Sequence, residues 1–440
     1  MKKIALINLS SIPILQITSV YPIGLTCLYS YLVKHGHCVD IIDFLDNEHS
    51  YYNLDFVEKN YDFIGLSIRN MELDTINGES FFNIYDEFIG EIKQKISENK
   101  LNTQLFVGGA GYSVFNNQIN SENFNEIMFV GNGEELVLNL VEEKITEKGI
   151  YTNSSNEFFE NLDIQYDKKL VKKYIEKGKS ELGMKEIGIP THRGKCIYNC
   201  SYCAYKNIES NSVIYRDIKL VKKNIIDLYE MNVRKIFFCD SLFNEDLKYA
   251  KEICRMIISL KLKDFSWSAY FSLKMDIEFL ELLKQSGCNN IYISFDTFSE
   301  RMIKNMQKQF SLSEAIKLID EIHKIRVPLK AFILFGGPGE CEDTIKETCT
   351  FLNKYLRKEE ILISIGIRIL PNSKISKEVS WDNILDLTFY EVKQNFIEII
   401  FENLDKQKIT FDNFWRLMLI QKDLLNCKMI GEDSGGKIFI

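Results

Sequence analysis

The sequence predicts an α/β protein with a doubly wound, Rossmann-like N-terminal sheet, a second parallel βα unit and a C-terminal helical segment. Short apolar stretches alternate with helical periodicity over residues 1–150 and again over residues 186–373. Such alternation is typical of parallel sheets covered by helices. Residues 151–185 are rich in Asn, Ser, Glu and Lys and, apart from a short helix over 170–177, indicate a linker. Residues 374–440 carry helical patterns without strands.

The composition is that of a folded protein. Of the 440 residues, 45% are hydrophobic and 12% aromatic, which allows a sizeable core in more than one domain. The net charge of −8 disfavours a nucleic-acid partner, and no apolar run is long enough for a membrane span. The run after Lys2 and Lys3 is short and interrupted by polar residues, so it is interpreted as a strand rather than an export signal. Eleven cysteines, an odd number, favour a reducing cytoplasm.

Glycine-rich or polar turns follow the predicted strands of the N-terminal domain. These strands cover residues 3–9, 39–43, 63–68, 104–107 and 127–130, with a helix over 22–35. Open parallel sheets bind ligands at the carboxyl ends of their strands. The candidate cofactor-binding residues are therefore Arg69, Asn70, Gly108, Gly109, Gly131, Gly133 and Glu134.

Polar residues and glycines also end the predicted strands of the central domain, which cover 235–238, 266–271, 291–295 and 329–335. Because chemistry in βα barrels takes place at the carboxyl ends of strands, these residues are candidates for the active site. They are Asp240, Ser268, Ser294, Asp296, Gly336 and Gly337. An ordinary turn or helix cap is the alternative interpretation for each.

Three cysteines with close spacing point to metal chemistry. Cys196, Cys200 and Cys203 are separated by three and then two residues, and Tyr202 directly precedes the last. A fully structural [4Fe-4S] cluster takes four cysteines, so three thiolates leave one iron open to a small molecule. The alternatives are three incidental thiols or a zinc knuckle, for which His192 is the nearby candidate for a fourth ligand.

This motif resembles the CxxxCxxC signature of the radical S-adenosylmethionine (SAM) enzymes, in which an aromatic residue precedes the last cysteine. The resemblance implies that the central domain is a partial (βα)6 barrel. It also implies that the three cysteines hold a [4Fe-4S] cluster, that SAM binds the free iron with Tyr202 beside its adenine, and that an external flavodoxin- or ferredoxin-type donor reduces the cluster.

The same resemblance assigns SAM contacts in the barrel. Asp240 occupies the position that commonly holds the SAM amino group, although the usual Gly-Gly-Glu is absent. Gly336 and Gly337 resemble the glycine-rich loop near the adenine, where a missing side chain permits close backbone approach. Arg368 resembles the arginine of the sixth strand and is expected to face a carboxylate of SAM or of the substrate.

The N-terminal turns, in their order ahead of the cysteine motif, resemble the cobalamin-binding domain of the cobalamin-dependent radical SAM enzymes. Arg69 and Asn70 are similar to residues of that group's natural-product methylases. The chain departs from many cobalamin proteins because it has no Asp-x-His-x-x-Gly motif, and His49 has a different spacing. The lower face of the cobalt is therefore expected to carry no histidine. Loss of the cofactor by this domain is the alternative.

Together these resemblances imply a cytoplasmic C-methyltransferase that acts on an unactivated carbon of a natural product or peptide through a 5′-deoxyadenosyl radical and methylcobalamin. Two alternatives stay open: a cobalamin-binding radical SAM enzyme that rearranges or oxidises its substrate, and a non-catalytic iron–sulfur sensor or partner protein. No nucleic-acid or membrane partner is expected. C-terminal aromatic residues are expected to pack in the core or, alternatively, to cap the barrel: Trp381, Phe396, Phe411, Phe414 and Trp415.

Overall fold

Two six-stranded parallel sheets follow each other along the chain. A computed structural model of the protein describes residues 1–15, 20–45, 54–71, 80–119, 121–153, 155–178, 186–209, 212–378, 389–390, 392–393 and 395–426. His49 and Trp381, both considered above, lie outside these residues. No helix among the described ranges is long and apolar enough to cross a bilayer.

The N-terminal sheet is doubly wound. Its strands are β1 (Lys3–Asn8), β2 (Cys38–Ile42), β3 (Phe63–Ser67), β4 (Gln104–Gly108), β5 (Ile127–Gly131) and β6 (Gly149–Asn153). The spatial order is β2-β1-β3-β4-β5-β6. Winding reverses between β1 and β3, so a ligand crevice is expected at the carboxyl ends of these two strands.

The helices of this domain cover both faces of the sheet. They are α1 (Ile23–Lys34), α2 (Phe82–Glu98), α3 (Ala110–Phe115), α4 (Glu134–Val141) and α5 (Lys168–Gly178). Alternate residues of β1 point to opposite sides: Leu6 belongs to the core that contains Leu28 of α1, whereas Ile7 belongs to the core that contains Phe88 of α2. The predicted strands agree with the observed ones, except that β6 was not predicted. The expected domain boundary at residue 150 lies inside it.

The central sheet has the consecutive order of an open barrel. The first strand of this sheet is the short β7 (Ile187–Ile189). Two antiparallel strands of two residues each, β8 (His192–Arg193) and β9 (Ile214–Tyr215), follow it and form a separate small sheet. The remaining strands of the central sheet come next. These are β10 (Lys235–Phe238), β11 (Ser266–Tyr270), β12 (Cys288–Asp296), β13 (Leu329–Phe335) and β14 (Ile361–Ile365). The order β14-β13-β12-β11-β10-β7 leaves β7 and β14 unpaired with each other in the described part of the chain, as the partial (βα)6 barrel requires.

The prediction for the sixth strand was wrong in its position. Arg368 does not lie on β14 but three residues after its end, in a segment where Arg368 forms an isolated bridge with Phe389. Gly366, with a φ of 95°, lies between two short apolar runs, residues 361–365 and 367–370. Because that left-handed conformation ends the strand, the first run forms β14 and the second does not.

Helices cover one face of the central sheet. They are α6 (Ile218–Glu230), α7 (Leu247–Leu260), α8 (Ile277–Gln285), α9 (Glu300–Asn305), α10 (Leu312–Ile325) and α11 (Glu342–Tyr355). Outward-facing strand residues such as Trp267 and Ile291 are fully buried with these helices in one core. Since side chains alternate along a strand, Phe237, Tyr270 and Tyr292 lie on the opposite, inner face.

The C-terminal segment forms α12 (Phe396–Asn403) and α13 (Phe411–Asn426). Asn413 fastens α13 to the edge of β14 because its side chain donates to the Ile361 carbonyl at 2.8 Å and accepts from the Ile363 amide at 3.2 Å. Phe396 is buried as expected, but the expectation was wrong for three other aromatics. These are Phe411, Phe414 and Trp415, which lie on the exposed side of α13.

Candidate active site

The three cysteines share one loop between β8 and β9. Ser201, in the middle of the motif, anchors this loop: its amide donates to the Met306 carbonyl at 3.0 Å, and its carbonyl accepts from the amides of Lys374 and Ile375. Cys196, Cys200 and Cys203 line a cavity of about 390 Å³ together with residues that follow β10, β11 and α9. The loop therefore places three thiols at the carboxyl end of the barrel.

The thiols fit an iron–sulfur cluster better than a zinc ion. Burial raises the pKa of the Cys196 thiol to about 11 and also raises that of Cys203, so deprotonation here needs a compensating cation. His192 does not join the cysteines, because its ring is buried with Nε2 3.3 Å from a Glu245 carboxylate oxygen. Within the described ranges, no three His, Cys, Asp or Glu side chains converge as a single ion would require.

Tyr202 belongs to a buried polar triad beside the cysteines. Its hydroxyl donates to Asp296 Oδ2 at 2.5 Å, and the Lys308 ammonium lies 2.7 Å from the same oxygen. Burial disfavours the ammonium, but Asp296 outweighs burial and raises the pKa of Lys308. Asp296 was predicted at the end of β12, whereas Lys308, which lines the cavity, was missed. It follows α9 in a segment without a motif, so only the fold reveals its partner.

Breaking this triad is expected to destabilise the protein strongly. An Asp296→Asn substitution leaves the Lys308 cation, whose side chain is 8% exposed, without its counter-charge. A buried pair that loses one partner costs about 3–5 kcal/mol. Chemical denaturation should therefore show a large decrease in the free energy of unfolding for Asp296→Asn. The double variant Asp296→Asn/Lys308→Met, which removes both charges, should recover part of that free energy. Equal stability of the wild type and Asp296→Asn would contradict the triad. Glu342→Gln, at the exposed Lys346 pair, is the control and should cause no measurable change.

Asp240 lies on the cavity wall after β10, but its carboxylate is already engaged. Its two oxygens accept hydrogen bonds from the Thr191 amide, the Thr191 hydroxyl and the His192 amide, at 2.7, 2.7 and 3.1 Å. Asp240 therefore fixes the segment that enters the cysteine loop. Ser294 also lines the cavity. Ser268 does not join them, because its hydroxyl donates to Glu186 at 3.1 Å near the amino ends of the strands.

The glycine loop after β13 packs next to Tyr202. Gly336 adopts a φ of 90°, and a Cβ on Gly337 would lie 3.0 Å from both Ile367 and Met302. Tyr202 packs against the same apolar cluster of Met302 and Ile367. The absence of side chains thus permits a close approach of the loop to this cluster.

Arg368 lies at the contact between the two domains. Its guanidinium is 5.4 Å from the ring centre of Phe115 in α3, and burial lowers the pKa of Arg368 to about 9. It is not among the residues that line the cysteine cavity. Arg368 thus contacts the N-terminal domain, whereas Asp240 and Ser294 line the cavity.

The predicted turns of the N-terminal domain meet at the carboxyl ends of β3, β4 and β5. Gly109 has a φ of 107°, and a Cβ there would be 2.4 Å from the Ile68 carbonyl oxygen. Gly111 similarly packs on the backbone of Arg69, and the Asn70 carbonyl accepts from the Tyr85 hydroxyl at 2.8 Å. Gly108 and Gly131 end the neighbouring strands β4 and β5. These close backbone contacts hold the turns together at the carboxyl edge of the sheet, where the ligand crevice is expected.

Glu134 connects the domains instead of facing this crevice. Its buried carboxylate lies 2.6 Å from the Arg193 guanidinium of β8. Burial alone would lower the pKa of Arg193, but the negative charge of Glu134 has the larger combined effect with its neighbours, so the Arg193 pKa is raised. Gly133, just before Glu134, has no atom within 4 Å of where a Cβ would lie, so open space remains beside this turn.

The cysteine loop also packs against the N-terminal domain. Ala204, directly after Cys203, is buried in the core that contains Ile68 and Tyr112, and Ile208 and Leu370 pack against the same core. The cavity with three thiols and the N-terminal crevice are thus adjacent. This arrangement defines a radical SAM domain joined to a Rossmann-like domain, the domain pairing of the cobalamin-dependent radical SAM enzymes.

Comparison with known proteins agrees with this class. Residues 191–352 match the Radical SAM superfamily, the family that the cysteine motif predicted for this domain. Tryptophan 2-C-methyltransferase of Streptomyces laurentii is 24% identical over 208 residues, or 44% of this chain and 35% of that protein. The matched region is thus about a third of the relative's length.

Two solved structures confirm the predicted fold. The radical SAM methyltransferase TsrM of Kitasatospora setae, solved with cobalamin and a [4Fe-4S] cluster, superposes with a TM-score of 0.72 at 18% identity, covering 86% of this chain and 77% of TsrM. The cobalamin-dependent radical SAM enzyme OxsB, solved with aqua-cobalamin, gives a TM-score of 0.68 at 15% identity, covering 100% of this chain and 64% of OxsB.

Proposed function

We propose that the protein is a cobalamin-dependent radical SAM methyltransferase that methylates an unactivated carbon of a small natural product or peptide. The observation that carries this proposal is the direct contact of the cysteine loop with the N-terminal domain through Ala204. A cluster on the three cysteines and a corrinoid in the crevice would then lie on the two sides of one reaction space. The similarity to tryptophan 2-C-methyltransferase and to the methyltransferase TsrM supports methyl transfer.

The residues of the cavity have separate tasks in this proposal. Cys196, Cys200 and Cys203 hold the cluster, while the Tyr202, Asp296 and Lys308 triad positions the loop around it. When bound, the cluster supplies an electron for cleavage of SAM to the 5′-deoxyadenosyl radical, and the corrinoid carries the methyl group. Aromatic walls such as Phe237 and Phe310 exclude water from that chemistry. A flavodoxin- or ferredoxin-type protein would supply the electron.

The described histidines lie away from the crevice where we place the corrinoid. His35 and His37 follow α1 at the amino end of β2, on the opposite edge of the sheet. His192 and His323 are paired with carboxylates in the central domain. None of these four histidines, which are those of the described ranges, lies in the crevice.

Transfer of an intact labelled methyl group is the expected result that tests this function. The reconstituted holoenzyme, reduced anaerobically with trideuteromethyl-SAM and a panel of small aromatic and peptide substrates, should give a product that keeps all the deuterium of the methyl group, because that group moves without loss of hydrogen. Mass spectrometry reads this outcome. A rearranged or oxidised product without label would instead support the non-methylating alternative. Cys200→Ala protein is the control and should give no labelled product.

A further inference from the structure

Four aromatic rings form an open patch on the inner face of the barrel. Phe237, Tyr270, Tyr292 and Phe332 come from four consecutive strands, and five of their six pairs have ring centroids 5.5 to 6.3 Å apart. We call this set the aromatic floor. Tyr270 is 38% exposed, whereas Trp267 on the opposite face of the same strand is fully buried. The floor is therefore not part of the packed core.

The floor is continuous with the site already described. Phe237 and Tyr270 line the cavity that contains the three cysteines, and Ser294 lies on the same wall. A molecule resting on the floor would thus be adjacent to SAM on the cluster.

Polar atoms at the floor are available for orientation. Neither the Tyr270 nor the Tyr292 hydroxyl has a hydrogen-bond partner among the described residues. Burial raises the pKa of Tyr292 to about 12, so its hydroxyl stays protonated at neutral pH. Beyond the rings, the Glu186 carboxylate pairs with Lys235 at 2.6 Å and closes the amino end of the barrel. Aromatic faces with free hydroxyls suit a planar ring that carries a polar edge.

We propose that the aromatic floor is the substrate subsite and that it selects a planar aromatic small molecule. This inference rests on the proposed function and names its substrate class. Offset or edge-to-face packing against four rings rewards planarity, which a saturated ring of equal size cannot match.

Equilibrium binding to the full-length, cluster-reconstituted protein tests this inference. The probes are indole, L-phenylalanine and L-β-cyclohexylalanine, the last of which differs from phenylalanine only in ring saturation. At least one aromatic probe should bind, and phenylalanine should bind more tightly than its saturated analogue. Phe237→Leu or Tyr270→Leu should weaken binding of the aromatic probe by roughly three- to tenfold, because each removes a ring that lines the cavity.

The control is Phe411→Leu, which removes an aromatic ring that is 73% exposed on α13 and should leave probe binding unchanged. Cluster content and circular dichroism verify that each variant is folded.

Equal binding of the saturated analogue, no effect of either leucine variant, or no binding of any aromatic probe would overturn the inference. Because binding needs no turnover, probe binding without labelled product would disfavour only the proposed methyl transfer. Methylation of a substrate without an aromatic ring would disfavour only the floor.

Discussion

Cys200→Ala is expected to eliminate the iron–sulfur cluster and all cleavage of SAM. Cys200 is the middle cysteine of a loop whose three thiols line one cavity, and two remaining thiolates cannot hold a cluster that already lacks a fourth. Iron and sulfide analysis after anaerobic reconstitution should show loss of most of the iron. Formation of 5′-deoxyadenosine under reducing conditions should fall to background.

Cys38→Ala provides the matched control, since Cys38 is an exposed cysteine at the start of β2. Its removal should leave iron content and SAM cleavage unchanged. A full cluster in Cys200→Ala protein, or an equal loss in both variants, would refute the assignment of the loop. Zinc in place of iron in the purified wild type would favour the knuckle instead.

Sequence periodicity predicted much of the fold because both sheets are parallel and buried. The strands over residues 235–238 and 329–335 were predicted at their observed bounds, since apolar runs between helical patterns leave little ambiguity. The prediction failed where two runs adjoin. Gly366 ends β14 and moves Arg368 out of the barrel to the domain contact. The resemblance to radical SAM enzymes could be predicted from the sequence because one short loop carries the whole cysteine motif.

Contacts between distant residues could not be predicted in this way. Glu134 and Arg193 are far apart in sequence, and only their packing shows that this carboxylate joins domains. Lys308 likewise needs the bulge near the end of β12 that brings Asp296 to it. The exposed side of α13 was misjudged because its aromatic spacing resembles that of a buried helix, whereas Asn413 and Leu417 mark the side that is buried. The predicted domain boundaries and cofactor contacts stay predictions.

Gly109→Ala is expected to weaken corrinoid binding at least tenfold while leaving the cluster in place. A Cβ at this position would lie 2.4 Å from the Ile68 carbonyl oxygen, and the residue has a φ of 107°. The turns after β3 and β4 must therefore separate, which deforms the crevice where we propose that the corrinoid binds. Backbone strain of this kind costs about 1–3 kcal/mol. The measurement is corrinoid stoichiometry and affinity after reconstitution with hydroxocobalamin and desalting.

Loss of stability alone could also reduce cofactor content, so the control must carry a similar strain elsewhere. Gly287 follows α8 with a φ of 85°, and a Cβ there would lie 2.9 Å from the Phe265 carbonyl oxygen. Gly287→Ala should lower the melting temperature in a similar way and yet retain the corrinoid, because this turn lies before β12 and far from the crevice. Equal corrinoid loss in both variants would attribute the effect to unfolding. If Gly109→Ala protein bound the corrinoid as tightly as the wild type, the corrinoid would not bind at the turns after β3 and β4. A corrinoid in close contact with these turns would be affected by their displacement.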